Sequence, residues 1–402
     1  MGSYDANVTR LLGMAAILVS LLLAACDDGG PAKAAEPQAR STSVGSAEPT
    51  ESQARSTSVG SAKPAEPQAR STSVGSAKPA EPRARSTSVG SAKPAEPRVR
   101  FTAAGDFGST EETDAVLKMI KSLDSDVTFA LGDLSYGRTG AEKQWCDYVT
   151  SRLGEDYPFE LVAGNHESDG RNGNIDAFSS CLPNKLRDMV GSYGRQYYVD
   201  MPAEDPLVRF VMVSPGLQFP DGEWNYRQGS SRYDWTARAI DTAREKSIPW
   251  VVVGMHNPCL SVGRYGCQSG SDLFHLLVSK RVDLILGGHD HSYQRSKQLA
   301  LSRGCKAIAT GSFDQECVAD EDSSLVRGAG SVSVVAATGG RSQYRVSSSD
   351  PEAGYFTSFA GGNDNPTYGA LDVTVTKSAM RASFVRAAGG THTDTFSINA
   401  TR

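Results

Sequence analysis

The stretch VDLILGGHDH at residues 282–291 decides how the rest of this chain is interpreted. Its mainly apolar first half, residues 282–286, predicts a buried strand, and Gly288-His289-Asp290-His291 stands at the carboxyl end of that strand. Two histidines spaced i, i+2 can present both imidazoles to neighbouring metal ions if the backbone turns sharply, which the preceding glycines permit. The stretch therefore indicates a metal centre at a strand end.

Four further predicted strand ends carry the same kind of signature, a glycine beside a polar side chain. They are Gly105-Asp106-Phe107-Gly108, Gly132-Asp133-Leu134-Ser135-Tyr136, Gly164-Asn165-His166-Glu167 and Gly254-Met255-His256. Together the five motifs hold four of the six histidines in the chain. Because α/β proteins assemble their sites at the carboxyl ends of strands, we expect these side chains to meet.

The side chains expected to meet are two carboxylates, a phenol, an amide and three imidazoles, namely Asp106, Asp133, Tyr136, Asn165, His256, His289 and His291. Such hard and borderline donors suit iron, manganese or zinc rather than soft copper. They are too many for one tetrahedral zinc ion. The set predicts two metal ions that share one carboxylate.

Around these motifs, strands alternate with helices and the chain then becomes rich in strands. Strands are predicted at residues 99–104, 126–131, 159–163, 208–213, 249–253, 332–337, 370–376, 380–385 and 393–398. Helices are predicted from residue 109 or 110, with the apolar stripe Val116, Met119, Ile120 and Leu123, and at residues 235–246 and 273–280. This order predicts a mixed α/β sandwich.

The amino terminus predicts export. Residues 11–25 form an almost wholly apolar run after Arg10, which is short for a membrane span and fits a secretory signal at residues 1–25. An uncleaved membrane anchor is the alternative. The ending Leu23-Ala24-Ala25-Cys26 resembles the lipobox of bacterial lipoproteins, which implies cleavage before Cys26 and a lipid anchor on its thiol.

A low-complexity segment follows at residues 26–97. The sequence ARSTSVGS begins at Ala39, Ala54, Ala69 and Ala84, a period of 15 residues. Such a period can indicate a solenoid, but the repeats lack leucine, isoleucine and phenylalanine and cannot bury a core. We expect a disordered linker rich in proline, alanine and serine, followed by one globular domain at residues 98–402.

Charge and cysteine content narrow the function classes further. The formal net charge of −5 gives no electrostatic reason to expect nucleic-acid binding. Six cysteines follow Cys26, and an even number in an exported chain predicts disulfides. Sequence does not fix their pairing, and our choice is nearest neighbours, namely Cys146–Cys181, Cys259–Cys267 and Cys305–Cys317.

In these five motifs and in their order, the domain from Arg98 onward resembles the calcineurin-like metallophosphoesterases, and within them the purple acid phosphatases. Each short motif is weak alone, whereas five in order on predicted strand ends are specific. The resemblance implies a four-layer αββα sandwich, in which two mixed β-sheets are flanked by helices.

The resemblance also implies a role for each donor. Asp106, Tyr136 and His291 would bind the first metal, Asn165, His256 and His289 the second, and Asp133 both. A tyrosine phenolate implies Fe(III) at the first position, with divalent iron, zinc or manganese at the second. His166 resembles the non-ligand histidine of the family, which contacts phosphate or protonates the leaving oxygen.

The function implied is hydrolysis of a small phosphomonoester, in which hydroxide held by the metals attacks phosphorus. A phosphodiesterase on the same site is the near alternative, and a non-catalytic surface-binding lipoprotein is the alternative from another class. The expected location is the cell envelope or the outside of the cell, with membrane contact only through Cys26.

For several other residues near the motifs, the sequence indicates a structural role or leaves two roles possible. We expect His275, His392, Tyr293 and Arg295 to be structural, and Glu167 to be either a partner of a ligand or a surface charge. Plant relatives carry a further histidine after the position of His256, but residues 257–268 contain none. Arg264 in that loop could replace it as a phosphate contact or could be a solvated surface residue.

Overall fold

The computed structural model describes residues 96–401. The predicted signal peptide, the predicted lipid attachment at Cys26 and the predicted repeat linker as far as residue 95 lie outside the described residues. Within residues 96–401, none of the helices combines the length and apolar character needed to cross a membrane.

The described chain contains nineteen strands. In chain order they are β1 (Arg98–Ala104), β2 (Val127–Ala130), β3 (Phe159–Leu161), β4 (Val190–Ser192), β5 (Gln196–Met201), β6 (Val208–Met212), β7 (Leu217–Phe219), β8 (Gly222–Trp224), β9 (Trp250–Gly254), β10 (Leu284–Gly287), β11 (Tyr293–Ser296), β12 (Gln298–Leu299), β13 (Val318–Asp320), β14 (Ser324–Val326), β15 (Val332–Ala336), β16 (Phe356–Ala360), β17 (Thr367–Thr376), β18 (Ala379–Gly389) and β19 (Asp394–Asn399).

Six α-helices accompany these strands in the described chain. They are α1 (Glu111–Leu123), α2 (Glu142–Leu153), α3 (Asn165–Ser168), α4 (Ile175–Cys181), α5 (Ser231–Glu245) and α6 (Ser271–Ser279). Short 3₁₀ turns occupy Gln315–Cys317 and Ala353–Tyr355. Helix α1 begins where the sequence predicts, because the Thr110 hydroxyl accepts from the Thr113 amide and caps the helix.

Two large sheets carry the five motifs. One has the order β14-β19-β18-β17-β1-β2-β3, and the other has the order β16-β11-β15-β10-β9-β6-β5-β4. Strands β1, β2 and β3 run parallel to one another in the first sheet. Strands β9 and β10 run parallel in the second. The carboxyl ends of parallel strands lie on the same side of a sheet, so each sheet brings its own motifs together there.

Alternation along the strands explains the layering. In β9, Trp250 and Val252 belong to the core between the sheets, whereas Val251 and Val253 belong to the core that includes the helices. Phe101 of β1 meets Phe210 of β6 at 4.8 Å between ring centroids, which joins the sheets. Successive side chains of a strand point to opposite faces of the sheet, and here each face packs against a core. Both faces must therefore be apolar, and the continuous apolar runs in the sequence meet this requirement.

The predicted fold class is confirmed, since two large mixed sheets pack together with helices on their other faces. The helical stripe needs one correction. In α1 the fully buried apolar side chains are Val116, Leu117 and Ile120, whereas Met119 and Leu123 of the predicted stripe are only partly buried. The sequence interpretation also assigned no helix to α2 or α4, and both pack under the first sheet's motifs through residues such as Trp145 and Phe178.

The three predicted disulfides are confirmed. Cys146 bonds Cys181, Cys259 bonds Cys267, and Cys305 bonds Cys317. The second of these closes the loop that follows His256, next to the predicted metal site.

Candidate metal centre

The strand-end loops of the two sheets are joined by carboxylates. Oδ2 of Asp106, at the end of β1, accepts a hydrogen bond of 2.9 Å from the His289 amide at the end of β10. Oδ1 of Asp133, at the end of β2, accepts one of 3.0 Å from the His166 amide after β3. Each carboxylate thus fixes a neighbouring motif and also presents oxygen atoms to the site.

The backbone at the site is held in a conformation that most residues avoid. Asp106, Asp133, Tyr136 and His289 have positive φ values of 64°, 52°, 51° and 67°. Left-handed backbone at non-glycine residues costs about 1–3 kcal/mol each and persists where surrounding contacts impose it. Four of the seven predicted ligands share this feature, so the fold places them in a fixed geometry.

Glycine is required at two points because other side chains would not fit. A Cβ on Gly164 would lie 2.2 Å from Asp133 Oδ1, and one on Gly288 would lie 2.6 Å from the Leu131 carbonyl oxygen. Both distances are far below van der Waals contact. The glycines in these motifs allow the loops to approach the carboxylates.

The first group of donors converges on the phenol of Tyr136. Its hydroxyl lies 3.0 Å from Asp106 Oδ1, 2.9 Å from Asp133 Oδ2 and 2.9 Å from His291 Nε2. This is the set predicted for the first metal, together with the bridging carboxylate.

The second group converges on Nε2 of His256. That nitrogen lies 3.2 Å from Asn165 Oδ1, 3.1 Å from His289 Nδ1 and 3.3 Å from Asp133 Oδ1. This is the set predicted for the second metal, again with the bridging carboxylate.

Asp133 is the only one of the seven predicted ligands whose side chain takes part in both groups. Its Oδ2 faces the Tyr136 group and its Oδ1 faces the His256 group. It is also almost fully buried, so water does not reach its carboxylate freely. The structure therefore brings all seven residues together in two groups that meet at one carboxylate.

Two of the histidines are oriented by backbone carbonyls. Nδ1 of His256 lies 2.8 Å from the Leu131 carbonyl oxygen, and Nδ1 of His291 lies 2.9 Å from that of Ser342. A carbonyl can only accept, so Nδ1 carries the proton in each ring. When these rings are neutral, each therefore presents an unprotonated Nε2 to its group, as a metal ligand must.

Without a cation, burial and neighbouring charges shift the pKa values of several side chains in this cluster. Burial, and then the carboxylates of Asp106 and Asp133, raise the pKa of Tyr136 far above its ordinary value. Burial opposes charge on His256, but Asp133, Asp106 and the Leu131 carbonyl together outweigh burial and raise the pKa of His256 to about 10. Burial and the neighbouring His256 lower the pKa of His289 to about 3. Protons thus occupy positions that metal ions would take.

The residues present fit two metal ions. The donor atoms of Asp106, Asp133 and His291 lie within 4.8 Å of one another, and so do those of Asp133, His256 and His289. Two imidazole nitrogens facing each other at 3.1 Å are a further arrangement that a shared cation would stabilise.

Comparison with known proteins agrees with this geometry. Residues 99–293 match the family model for calcineurin-like phosphoesterases. The chain contains a calcineurin-like phosphoesterase domain.

Two curated relatives of this phosphoesterase domain are plant proteins. Purple acid phosphatase 21 of Arabidopsis thaliana is 29% identical over 204 residues, covering 48% of this chain and 44% of that protein. Probable inactive purple acid phosphatase 27 of the same plant is 24% identical over 314 residues, covering 72% of this chain and 46% of that protein. The chain therefore spans less than half the length of either relative.

A solved structure shares the fold of the phosphoesterase domain. A purple acid phosphatase from yellow lupin (Lupinus luteus) seeds superposes with a TM-score of 0.55 at 19% identity, covering 76% of this chain and 54% of that one. At this level of identity the likeness concerns the fold.

His166 lies at the open side of the candidate metal site. Its side chain is 24% exposed, and its Nε2 lies 3.6 Å from Asp133 Oδ2. Its Nδ1 bonds Asn172 Oδ1, and its ring lies 4.4 Å from the ring of Tyr136. A histidine that is oriented by an amide and partly open to solvent can exchange a proton with a bound substrate.

Glu167, which the sequence left open, is a buried partner of the ligand loops. Its carboxylate accepts from the Gly164 amide at 2.8 Å and from the Leu134 amide at 3.3 Å. It therefore ties the motif of β3 to that of β2. Burial, and then the charge of Asp133, raise the pKa of Glu167 to about 8.

Sequence reasoning missed residues that reach the site from the segment after β15. The ring of Tyr344 stacks on His291 at 4.1 Å, and the guanidinium of Arg341 lies 4.2 Å from the ring of Tyr136. Neither belongs to a motif, and they lie far along the chain from the residues they touch. The residues next to them in sequence are mainly glycine and polar and give no periodic signal, so only the fold identifies them.

The residues assigned structural roles have local partners. His275 bonds the Ile308 carbonyl, and His392 bonds the Ser358 hydroxyl. Tyr293 and Arg295 are buried in β11 and both donate to Asp394. None of these four contacts a predicted metal ligand through the hydrogen bonds recorded for residues 96–401.

Proposed function

We propose that this protein is a hydrolase of phosphomonoesters that works with two bound metal ions. The observation that carries the proposal is the division of the donor set into two groups around the two oxygens of Asp133. A carboxylate shared in this way is what a pair of closely spaced cations requires. Membership of residues 99–293 in the phosphoesterase family supports phosphate ester hydrolysis as the reaction.

The two groups differ in charge, which favours two different metals. The first would contain Asp106, Tyr136 and His291, and a deprotonated phenol there favours Fe(III). The second would contain Asn165, His256 and His289, which are neutral donors suited to divalent iron, zinc or manganese. A trivalent and a divalent ion together would exceed the ligand charge and attract a phosphate dianion.

Bound metals would supply a water of lowered pKa and positive charge beside the phosphoryl oxygens. The protein side chains would do the rest. His166 would donate a proton to the leaving oxygen, with Asn172 fixing its ring through Nδ1. Asp106 and Asp133 would hold the loops in register, since they accept from the amides of His289 and His166.

Two alternatives on the same fold give different outcomes in experiments. A phosphodiesterase would use the same donors with a different substrate cleft. A non-catalytic binding protein is suggested by the name of one relative, a probable inactive purple acid phosphatase. The retention here of all seven donors and of His166 favours catalysis.

We further propose that the protein acts outside the cytoplasm. Three disulfides favour an oxidising compartment. The apolar run at residues 11–25 would be a secretory signal, and Cys26 would carry the lipid that anchors the protein to a membrane.

The test compares two esters of the same phenol. The full chain is supplied with iron and a divalent metal, and its kcat/KM is measured for an aryl phosphate monoester and for the matching diester. We expect the monoester to be the better substrate by at least about tenfold. Preference for the diester would support the phosphodiesterase, and no turnover of either by metal-loaded protein would support the binding protein.

A further inference from the structure

The middle residue of the His-Asp-His motif has no role in the proposed metal centre. Asp290 is fully buried between two predicted ligands, yet its carboxylate faces the loop after His256. Oδ2 of Asp290 accepts from the Ser261 hydroxyl at 2.5 Å, the Arg264 amide at 2.9 Å and the Tyr265 amide at 3.3 Å. A buried carboxylate with these contacts fixes the loop to the motif.

The fit between loop and carboxylate is close. A Cβ on Gly263 would lie 2.4 Å from Asp290 Oδ2, so the chain passes directly over the carboxylate at that residue. The disulfide between Cys259 and Cys267 closes the same loop. The loop therefore has a covalent closure at its ends and a hydrogen-bonded anchor at its centre.

This anchored loop places an aromatic ring against the metal site. The ring of Tyr265 stacks on His289 at 4.2 Å, and Tyr344 stacks on His291 at 4.1 Å. The two tyrosine rings meet edge to face at 5.9 Å. Together they cover both histidines of the motif.

Tyr265 also lines the cleft that opens beside the second group of donors. The cleft has a volume of about 380 Å³ and is lined by Asn165, Gly216, Glu223, Asn257, Tyr265, Gln268 and His289. These lining residues include no lysine or arginine, and Glu223 is their one carboxylate. Arg264 does not line the cleft, but its guanidinium lies 5.4 Å from the ring of Tyr265 and 5.1 Å from that of Tyr344. The cleft therefore offers an aromatic wall to a leaving group.

We propose that Tyr265 is a specificity-determining residue that packs against a ring-bearing leaving group, and that Asp290 is the positioning residue that holds Tyr265 in place. The proposal rests on the proposed phosphomonoesterase function. It assigns a role to the Asp290 side chain that metal binding does not require.

Two substitutions at Asp290 separate this role from a general structural one. Asp290→Asn keeps an oxygen where Oδ2 accepts the three contacts, so the loop should stay in place. Asp290→Leu leaves the hydroxyl of Ser261 and the amides of Arg264 and Tyr265 without their acceptor, so the loop should loosen. Tyr265→Leu removes the ring while leaving the anchor intact.

The experiment measures kcat and KM of the full, metal-loaded chain for phenyl phosphate and methyl phosphate. In Asp290→Leu and Tyr265→Leu we expect the KM for phenyl phosphate to rise about fivefold to tenfold. The KM for methyl phosphate should stay within about twofold, as should all values for Asp290→Asn and for the control Tyr233→Leu in helix α5. Amide hydrogen exchange at residues 261–268 should speed up in Asp290→Leu alone.

The outcomes distinguish the two proposals. If the wild-type protein hydrolyses neither ester, the phosphomonoesterase function fails, and the hydrogen exchange still tests the anchor. If it hydrolyses both and the KM values for the two esters change in parallel in Tyr265→Leu, the specificity role is wrong. Unchanged exchange in Asp290→Leu would overturn the positioning role.

Discussion

At the scale of single residues, the site depends on donors that serve two purposes. Asp106 and Asp133 offer carboxylate oxygens to the cluster and accept backbone amides from neighbouring motifs. The types and order of these donors were readable from the sequence, because each follows a glycine signature at a predicted strand end and is of a type that can bind a metal ion. Glu167 could not be assigned, since sequence does not tell a buried carboxylate from a surface one.

Removing the shared carboxylate should remove the metals. In Asp133→Ala both donor groups lose a ligand, so affinity for each metal should fall by at least about tenfold. Metal content after desalting, measured by mass spectrometry, tests this. Asp147→Ala, at an exposed position in α2, is the control and should keep wild-type content. Full metal content in Asp133→Ala would show that the ligand assignment is wrong.

Removing His166 should separate metal binding from turnover. The His166→Ala variant keeps every predicted ligand, so its metal content should equal that of the wild type. Its kcat should fall about a hundredfold to ten-thousandfold, the range for loss of a general acid. Wild-type kcat in this variant would remove His166 from the mechanism.

At the scale of elements, the sequence predicted the strands that carry motifs and missed much around them. Strands β1, β2, β3, β9 and β10 end in glycine and a polar side chain, which is a local signal. Helix α2 has no such signal, although Trp145, Cys146, Val149 and Leu153 form a buried stripe. Tyr344 and Arg341 come from an irregular segment whose position depends on the packing of β15 and β16.

Close approach of strand-end loops gives a steric prediction. A methyl group at Gly164 would lie 2.2 Å from Asp133 Oδ1 and 2.3 Å from the Asp133 amide nitrogen. Gly164→Ala should therefore displace the shared carboxylate and lower metal content, as measured by mass spectrometry. At Gly266 an added methyl meets nothing within 4 Å, so Gly266→Ala should retain the metals. Equal metal content in both variants would contradict the proposed packing.

At the scale of the whole molecule, protons and metals compete for the same cluster. Burial opposes charge on His256, but Asp133, Asp106 and the Leu131 carbonyl together raise the pKa of His256 to about 10, so it is protonated at pH 7 without metal. Tyr136 also keeps its proton, because burial and then two carboxylates raise its pKa. Metal binding must displace these protons, so metal affinity should fall as pH falls.

This competition can be measured directly. Calorimetric titration of metal into metal-free protein at pH 7, in buffers of different ionisation enthalpy, should show release of at least about one proton. Affinity that does not change between pH 6 and pH 8 would contradict the assignment of His256 as a ligand.

The disulfides should contribute to global stability but not to the site's ligand set. Cys146–Cys181 joins α2 to α4 across 35 residues of sequence. Replacing both cysteines by serine should lower the free energy of unfolding by about 2–4 kcal/mol, as measured by urea denaturation. Metal content should stay at the wild-type value, and an unchanged unfolding free energy would contradict the structural role of this bond.

The most direct test of the central claim is the number and kind of metal ions bound per chain. The full protein is stripped of metal, reloaded with iron and zinc under oxidising conditions, desalted, and measured by mass spectrometry and visible absorption. Two ions per chain with an absorption band from a phenolate bound to Fe(III), lost in Tyr136→Phe, is the expected result. One ion or none per chain, or a band that persists in Tyr136→Phe, would contradict the binuclear centre proposed here.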